Sequence, residues 1–220
     1  MKAIAKVAAP ALILLTASVA GATCPPSSYD FTGYPVEITA PYSTQYYNYD
    51  DGYGDTGTAS IDFNILNATL NTQVGSYGYA TSTAMLSVVD DFTVVGLPAG
   101  TSVNLVAHLT LNGDGMNSMT GTASVSGSIQ DAMGHAVNST GITFHGTLDL
   151  PLTEVAGTAF RLTFSDQSTC YLNASTMVTG HFSFTGLPVG AGVISCEGYV
   201  SDPSVPTHTT SWGRIKAIYH

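Results

Sequence analysis

The chain alternates apolar and polar residues over most of its length, which is the pattern of half-buried β-strands. In the segment that starts near residue 58, Ile61, Phe63 and Ile65 share one face, and Asp62 and Asn64 share the other. The same alternation returns in later segments, whose inward positions are Val103, Leu105, Leu109 and Leu111, then Ile142, Phe144, Leu148 and Leu150, then Phe160, Leu162 and Phe164. Gly, Pro, Asn or Asp bounds each segment, so each predicts a strand that ends in a turn.

Further strand-like runs lie near 79–95, 120–130, 169–179, 181–186 and 191–200. Together the runs predict about nine or ten strands with short connections, and without the helices that a parallel βαβ layout requires. We therefore expect an all-β fold, an antiparallel two-sheet β-sandwich or jelly roll, over residues 23–202.

The N-terminus has the organisation of a secretory signal peptide. Lys2 and Lys6 precede an apolar run from Ala8 to Ala20, which closes on the small residues Ala20, Gly21 and Ala22. This pattern predicts a signal peptide over residues 1–22, cleaved after Ala22 or, alternatively, after Ala20. The run is shorter than the roughly 20 residues that span a bilayer, and no second candidate follows. We expect the mature chain to be secreted or held at the cell surface, without a transmembrane segment.

The chain has three cysteines, which in an exported protein predict one disulfide. We favour Cys170 with Cys196, because both lie in strand-like segments of the C-terminal third, and this leaves Cys24 as the odd cysteine. The alternative role of Cys24 is the lipid-modified first residue of a bacterial lipoprotein. The preceding Thr23 argues against it, since Gly, Ala or Ser is usual there.

The mature chain is strongly acidic. Without the signal peptide it keeps Arg161, Arg214 and Lys216 against fifteen Asp and Glu, a formal net charge of −12. Such a surface repels polyanions, so nucleic-acid binding is not expected. Gly, Ser, Thr and Asn supply most of the polar positions.

One segment combines aromatic rings with carboxylates. Tyr46, Tyr47, Tyr49 and Tyr53 offer flat apolar faces and hydroxyl groups, the chemistry that binds sugar rings. Asp50, Asp51 and Asp55 lie in the same stretch and predict a calcium site, although the spacing is not that of an EF-hand. The alternative interpretation is an extended surface strand followed by an acidic turn.

No sequence motif for covalent catalysis or phosphate binding is present. Asp90 and Asp91 are adjacent in a predicted strand and therefore point to opposite faces, which does not suit a catalytic pair. His108, His145 and His181 fall on polar faces of predicted strands, and a zinc or copper site would require those strands to be neighbours. Whether the protein is an enzyme stays open, with a non-catalytic role favoured.

The chain contains a short internal repeat. The stretch Phe92 to Gly100 matches Phe182 to Gly190, each an alternating strand with a Gly-Leu-Pro-X-Gly turn. An internal duplication and a reused turn both explain it. The longer stretch from Thr81 to Asp114, and Phe182 to Tyr199, resemble uncharacterised secreted bacterial proteins related to PEP-CTERM ectodomains. The resemblance implies an exported β-sandwich, whereas the C-terminus lacks the sorting tail of that group.

The last residues, 203–220, form a Pro-limited tail that differs in composition from the rest. Ser211 can cap a short helical turn that includes the tail residues Trp212, Arg214, Ile215 and Lys216. The tail either docks to a secretion or surface-attachment apparatus or packs Trp212 against the sandwich.

The leading hypothesis is an exported, non-catalytic protein of the cell surface or extracellular matrix. The alternatives are a carbohydrate-binding module that uses the Tyr42–Asp55 segment, with or without calcium as its cofactor, and a hydrolase with an unrecognised carboxylate pair. The expected partners are a glycan or another cell-surface component. Sheet edges could also support self-assembly by strand addition.

Overall fold

The computed structural model describes residues 24–31, 33–116 and 121–201. Strands form where the sequence alternates, and the inward positions are the predicted apolar ones with one exception. Ile142, predicted to face inward, is 53% exposed because the chain bends there between two strands. The strands are β1 (Ser27–Asp30), β2 (Val36–Ile38), β3 (Tyr42–Asp50), β4 (Thr56–Asn64), β5 (Thr69–Tyr77), β6 (Thr81–Val95), β7 (Ser102–Met116), β8 (Thr122–Asp131), β9 (Ala136–Gly141), β10 (Thr143–Val155), β11 (Ala159–Tyr171), β12 (Ser175–Thr185) and β13 (Gly192–Ser195). A short 3₁₀ turn, Ile65–Asn67, joins β4 to β5.

The strands form two antiparallel sheets that pack face to face, so the predicted all-β sandwich is confirmed. Sheet A has the order β2-β1-β6-β11-β8-β9, with β13 also paired to β6. Sheet B has the order β10-β7-β12-β5-β4-β3. The apolar positions of both sheets form one buried cluster between them, as two-layer packing requires.

The described residues contain thirteen strands, more than the predicted nine or ten. The additional ones are short or largely polar strands, such as β2 and β9, whose apolar signal is weak. The predicted breaks near 164–169 and 179–181 are wrong, because β11 and β12 run through them. The chain turns instead at Leu172 and Asn173, which both have positive φ.

The predicted Cys170–Cys196 disulfide is wrong. Cys24 bonds to Cys196, while Cys170 is a buried free thiol. The strand registers explain why: Cys170 lies opposite Ser82 and Ser195 lies opposite Phe92, at two ends of β6. Ten residues of strand separate those positions by roughly 33 Å, far beyond the reach of a disulfide. The observed bond ties the N-terminal segment to the end of β13.

The two copies of the internal repeat lie in opposite sheets and contact each other. The first copy forms the end of β6 and the second the end of β12, and the rings of Phe92 and Phe182 are 6.0 Å apart. Their turns also touch, because a Cβ on Gly96 would collide with the carbonyl of Gly190. Gly96 has φ +83°, so glycine is required there for its backbone conformation as well.

Candidate functional site

The most distinctive surface feature is a cleft between the edge of sheet B and the beginning of β6, which we call the tyrosine cleft. Its volume is about 340 Å³. The aromatic lining residues come from separate parts of the chain: Phe31, Tyr47, Tyr49 and Tyr79. Polar lining is supplied by Asp55, Thr81, Ser82 and Thr83. The site therefore joins aromatic surfaces to hydroxyls and one carboxylate.

Strand register places Tyr47 and Tyr49 in the cleft. Tyr47 is opposite Ala59 and Tyr49 is opposite Gly57, two buried positions of β4, so both tyrosines project on the side that faces sheet A. Sheet A does not extend far enough to cover them fully, and they remain 37% and 45% exposed. The ring of Tyr47 stacks on Phe31, with centroids 6.1 Å apart. This contact links β3 to the segment after β1.

Tyr79 enters the cleft from the turn between β5 and β6. The Tyr79 amide donates to Asp55 Oδ1 at 3.0 Å, and the Gly78 amide donates to Asn173 Oδ1 at 3.0 Å. Gly78 has φ +69°, and the Asp55 carboxylate occupies the space that a Cβ would need. The turn is thus held from two sides, while the Tyr79 side chain is 74% exposed and accessible to a ligand.

The predicted calcium residues instead order the β3–β4 hairpin. Asp50 Oδ1 accepts from the Gly52 amide at 2.8 Å. Asp51 Oδ1 accepts from the amides of Tyr53 and Asp55 at 2.8 and 3.1 Å. Within the described residues, no group of three or more His, Cys, Asp or Glu side chains is arranged to hold a metal. The calcium hypothesis for Asp50, Asp51 and Asp55 therefore rests on the sequence alone.

The structure separates the four predicted ligand-binding tyrosines. Tyr47 and Tyr49 line the cleft, whereas Tyr46 projects from the opposite face of β3, where it is 76% exposed. Tyr53 lies in the hairpin loop and is 94% exposed. Sequence reasoning missed Phe31 and Tyr79, which only the topology brings to β3. The Tyr-Gly-Tyr sequence at 77–79 indicates an exposed aromatic turn, but it does not indicate that this turn lies beside β3.

The predicted tail residues Trp212, Arg214, Ile215 and Lys216 lie outside the described residues.

A second cleft, of about 380 Å³, holds the carboxylates of Asp91, Asp131 and Glu154 together with Arg161. Burial raises the pKa of Glu154, and the negative charge of Asp131 adds to this effect. For Asp131, burial is outweighed by hydrogen bonds from the His135 side chain and from backbone amides, so its pKa is lowered. Asp131 accepts from the amides of Met133 and His135 and from His135 Nδ1, so it mainly closes a turn. Phe160 is the one aromatic side chain in its lining.

Asp90 and Asp91 point to opposite faces, as predicted. Asp91 pairs with Arg161 on the outer face, with Nε to Oδ1 at 2.8 Å. Asp90 is buried, and its Oδ2 accepts from the Glu197 amide at 3.3 Å. Burial and the nearby charge of Asp90 raise the pKa of Glu197 to about 7. The Asp90–Glu197 pair lies next to the disulfide, and neither residue lines the tyrosine cleft or the second cleft.

The three histidines of the predicted metal site, His108, His145 and His181, lie on the outer face of sheet B. His108 Nδ1 is 2.7 Å from Asp149 Oδ1, and His108 Nε2 is 2.6 Å from Thr185 Oγ1. This Thr-His-Asp connectivity resembles that of an activated nucleophile, but it runs across adjacent strands of an open sheet face. The Asp149 side chain is 60% exposed to water, which weakens its hold on the imidazole. His145 pairs separately with Asp114, so these two histidines do not converge on one metal site.

Comparisons with known proteins give little further guidance. No protein-family model and no curated protein matches the chain. Among solved structures, the enzymatically active domain of tailspike protein 4 from bacteriophage CBA120 is similar at 13% identity and a TM-score of 0.23. The match covers 66% of this chain and 20% of that one, so this chain spans about a fifth of the tailspike domain's length.

No helix in the described part of the chain is long and apolar enough to cross a membrane. The disulfide indicates an oxidising compartment outside the cytoplasm.

Proposed function

We propose that this protein is an exported, non-catalytic β-sandwich that binds a neutral polysaccharide in the tyrosine cleft. The observation that carries the proposal is the convergence of Tyr47, Tyr49 and Tyr79 around Asp55. Sugar rings have an apolar C–H face that packs on aromatic side chains and a rim of hydroxyls that need polar partners. The cleft supplies both within one sugar-sized space.

The charge of the protein limits the ligand class. Asp55 lies in the cleft, the described lining contains no cation, and the chain has a formal net charge of −10. Uronic acids and sulfated sugars would meet this negative field without a compensating Lys or Arg. A neutral hexose or pentose polymer is therefore the expected ligand, in keeping with a role at the cell surface or in an extracellular matrix.

The cleft geometry assigns roles to its residues. Tyr79, whose backbone is held by Asp55, offers the most exposed ring of the lining, and Tyr47 and Tyr49 add two less exposed rings. Asp55 and the polar groups of Thr81, Ser82 and Thr83 in the lining can bond with sugar hydroxyls. Strand β3 holds Tyr47 and Tyr49, and hydrogen bonds within the neighbouring turns hold the backbone of Asp55 and Tyr79, so little backbone ordering is required on binding.

Affinity electrophoresis and isothermal titration calorimetry with neutral and acidic polysaccharides test the proposal. We expect binding to at least one neutral polymer, and an approximately tenfold loss on Tyr79→Ala, equivalent to about 1.4 kcal/mol. Tyr53→Ala is the matched control, since Tyr53 is an exposed tyrosine outside the cleft lining. Equal losses in the two variants, or binding to acidic polymers alone, would contradict the assignment. Repeating the titration with EDTA and added Ca²⁺ tests the calcium hypothesis separately.

A further inference from the structure

The outer face of sheet B carries a groove that runs across its strands, which we call the outer groove. Its volume is about 400 Å³, and its lining includes Thr44, Tyr46, Asp62, Asn71, Gln73 and Met177. It shares no lining residue with the tyrosine cleft. Tyr46, which the sequence predicts to bind a ligand and which the cleft leaves out, therefore belongs to a depression of its own.

Strand register builds the outer groove. Tyr46 of β3 is opposite Ser60 of β4. Gln73 of β5 lies between Ser60 and Met177 of β12 in the same row. The row crosses four adjacent strands and is about 14 Å long. Tyr46 is 76% exposed and Met177 is 48% exposed, although both side chains are large and mainly apolar. The groove thus has an apolar side chain at each end and polar side chains between them.

A second row of residues holds a carboxylate in the outer groove. Thr44 of β3 is opposite Asp62 of β4, which is opposite Asn71 of β5. The Thr44 hydroxyl donates to Asp62 Oδ1 at 2.6 Å, and Asn71 Nδ2 donates to Asp62 Oδ2 at 3.3 Å. Each carboxylate oxygen can accept a further hydrogen bond. Asp62 can therefore bind a hydroxyl group of a ligand while its two neighbours hold it in place.

We propose that the outer groove is a second binding site for the neutral polysaccharide, an inference that rests on the proposed function for the class of ligand. Tyr46 and Met177 offer apolar surfaces to the C–H face of a sugar ring, and Asp62 and Gln73 offer hydrogen-bonding groups to its hydroxyls. The described lining holds one carboxylate and no cation, which favours an uncharged sugar. A protein partner would require a contiguous apolar centre, whereas polar side chains separate the two apolar ones here.

The position of β3 lets one polymer reach both sites. This strand is the last in the order of sheet B, and its consecutive residues Tyr46 and Tyr47 project to opposite faces. A polysaccharide that passes over this edge can occupy the tyrosine cleft and the outer groove together. Two linked sites bind a long polymer more tightly than either site binds a short oligosaccharide.

NMR titration of the mature protein with neutral trisaccharides of β-linked glucose, xylose and mannose tests the two sites separately. We expect at least one trisaccharide to shift the backbone amide signals of Gln73 and Met177. Tyr46→Ala should raise the Kd measured from these shifts approximately tenfold and leave the shifts around Tyr79 unchanged. Tyr34→Ala is the matched control, because Tyr34 is 78% exposed and lies in neither lining.

The outcomes separate this inference from the proposed function. Shifts confined to the tyrosine cleft would overturn the outer groove and leave the cleft standing, whereas shifts confined to the groove would do the reverse. Groove shifts with the same Kd in Tyr46→Ala, or no shifts at either site, would also overturn the inference. Affinity electrophoresis with the corresponding polymer tests joint binding: Tyr46→Ala and Tyr79→Ala should each weaken it about tenfold. Loss in Tyr79→Ala alone would contradict a polymer shared by the two sites.

Discussion

The interior of the sandwich has an aromatic half and a polar half, and the difference is visible along β11. Phe160, Leu162 and Phe164 face the interior first, followed by Asp166, Ser168 and Cys170. In the aromatic half, Phe164 stacks on Phe182 of the opposite sheet with centroids 4.5 Å apart. In the polar half, the corresponding contact between the two sheets is a hydrogen bond of 2.8 Å between Ser168 Oγ and Thr72 Oγ1.

The two halves contribute differently to the molecule. Burial of aromatic rings gives large, non-directional stabilisation, whereas an internal hydrogen bond contributes only about 1 kcal/mol net. The disulfide and β13 also lie at the aromatic end, where Ser195 pairs with Phe92. The tyrosine cleft borders the polar half through Ser82, whose neighbour on β11 is Cys170. Stability and the candidate binding site therefore concentrate at opposite ends of β6.

The largest expected effect is in the aromatic half. Phe92 is fully buried, and its ring centroid lies 5.1 Å from Phe184 and 6.0 Å from Phe164. Phe92→Ala leaves a cavity among rings that cannot close it, so we expect a loss of about 3–5 kcal/mol in the free energy of unfolding. Urea denaturation monitored by tyrosine fluorescence measures this.

The matched change in the polar half removes both hydroxyls of the Thr72–Ser168 bond together. Thr72→Val with Ser168→Ala leaves no orphaned donor in that pair, so the double variant should lie within about 1 kcal/mol of the parent protein. If the double variant is as unstable as Phe92→Ala, the two halves do not differ as argued.

The next effect concerns the disulfide at the aromatic end. Cys24 and Cys196 are 172 residues apart, so their bond restricts a long loop of the unfolded chain. Cys24→Ser with Cys196→Ser should destabilise the protein by about 2–5 kcal/mol, whereas Cys170→Ala should change stability much less. Peptide mapping under non-reducing conditions should recover a Cys24–Cys196 cystine and a free Cys170. A Cys170–Cys196 peptide would contradict the observed pairing.

The same comparison shows what sequence could predict. Alternation identified β4 and β7 because their inward positions carry apolar side chains or glycine, and it would have placed Asp166 and Ser168 inside had the strand been continued beyond Phe164. A buried polar residue interrupts the apolar–polar alternation from which a strand is predicted. The side chains nevertheless continue to alternate between the two faces of the sheet. The cysteine pairing required the register of β6 with β11 and β13. Phe31 and Tyr79 reach the cleft through strand order, which sequence does not encode locally.

The last prediction concerns the most unusual residue of the polar half. Asp166 is fully buried, and neither of its carboxylate oxygens has a hydrogen-bond partner. The Thr72 side chain is close enough to lower the pKa of Asp166 in part. Burial raises the pKa of Asp166 well above its ordinary value. Thr72 on the opposite sheet and Ser168 on the same strand are both uncharged. The nearest titratable side chain on the strand of Asp166 is the Cys170 thiol.

The sign of the pH dependence follows from the raised pKa. Folded Asp166 holds a proton that the unfolded chain releases above about pH 3.8, so its contribution to stability is complete below that pH. It then declines, by up to about 1.4 kcal/mol per pH unit, until the folded pKa is reached. Asp90 and Glu197, whose pKa values burial also raises, act in the same direction. We expect a higher Tm at pH 4.5 than at pH 8.

Asp166→Asn separates this residue from the other carboxyls. Asparagine keeps the shape of the side chain without a titrating proton, so the variant should gain stability at pH 8 and have a flatter Tm profile than the parent protein. Asp62→Asn is the control, because Asp62 lies on the solvent face of β4 and accepts from Thr44 and Asn71. A parent protein that becomes more stable as the pH rises from 4.5 to 8, with an unchanged profile in Asp166→Asn, would mean that the polar half does not hold a protonated carboxyl.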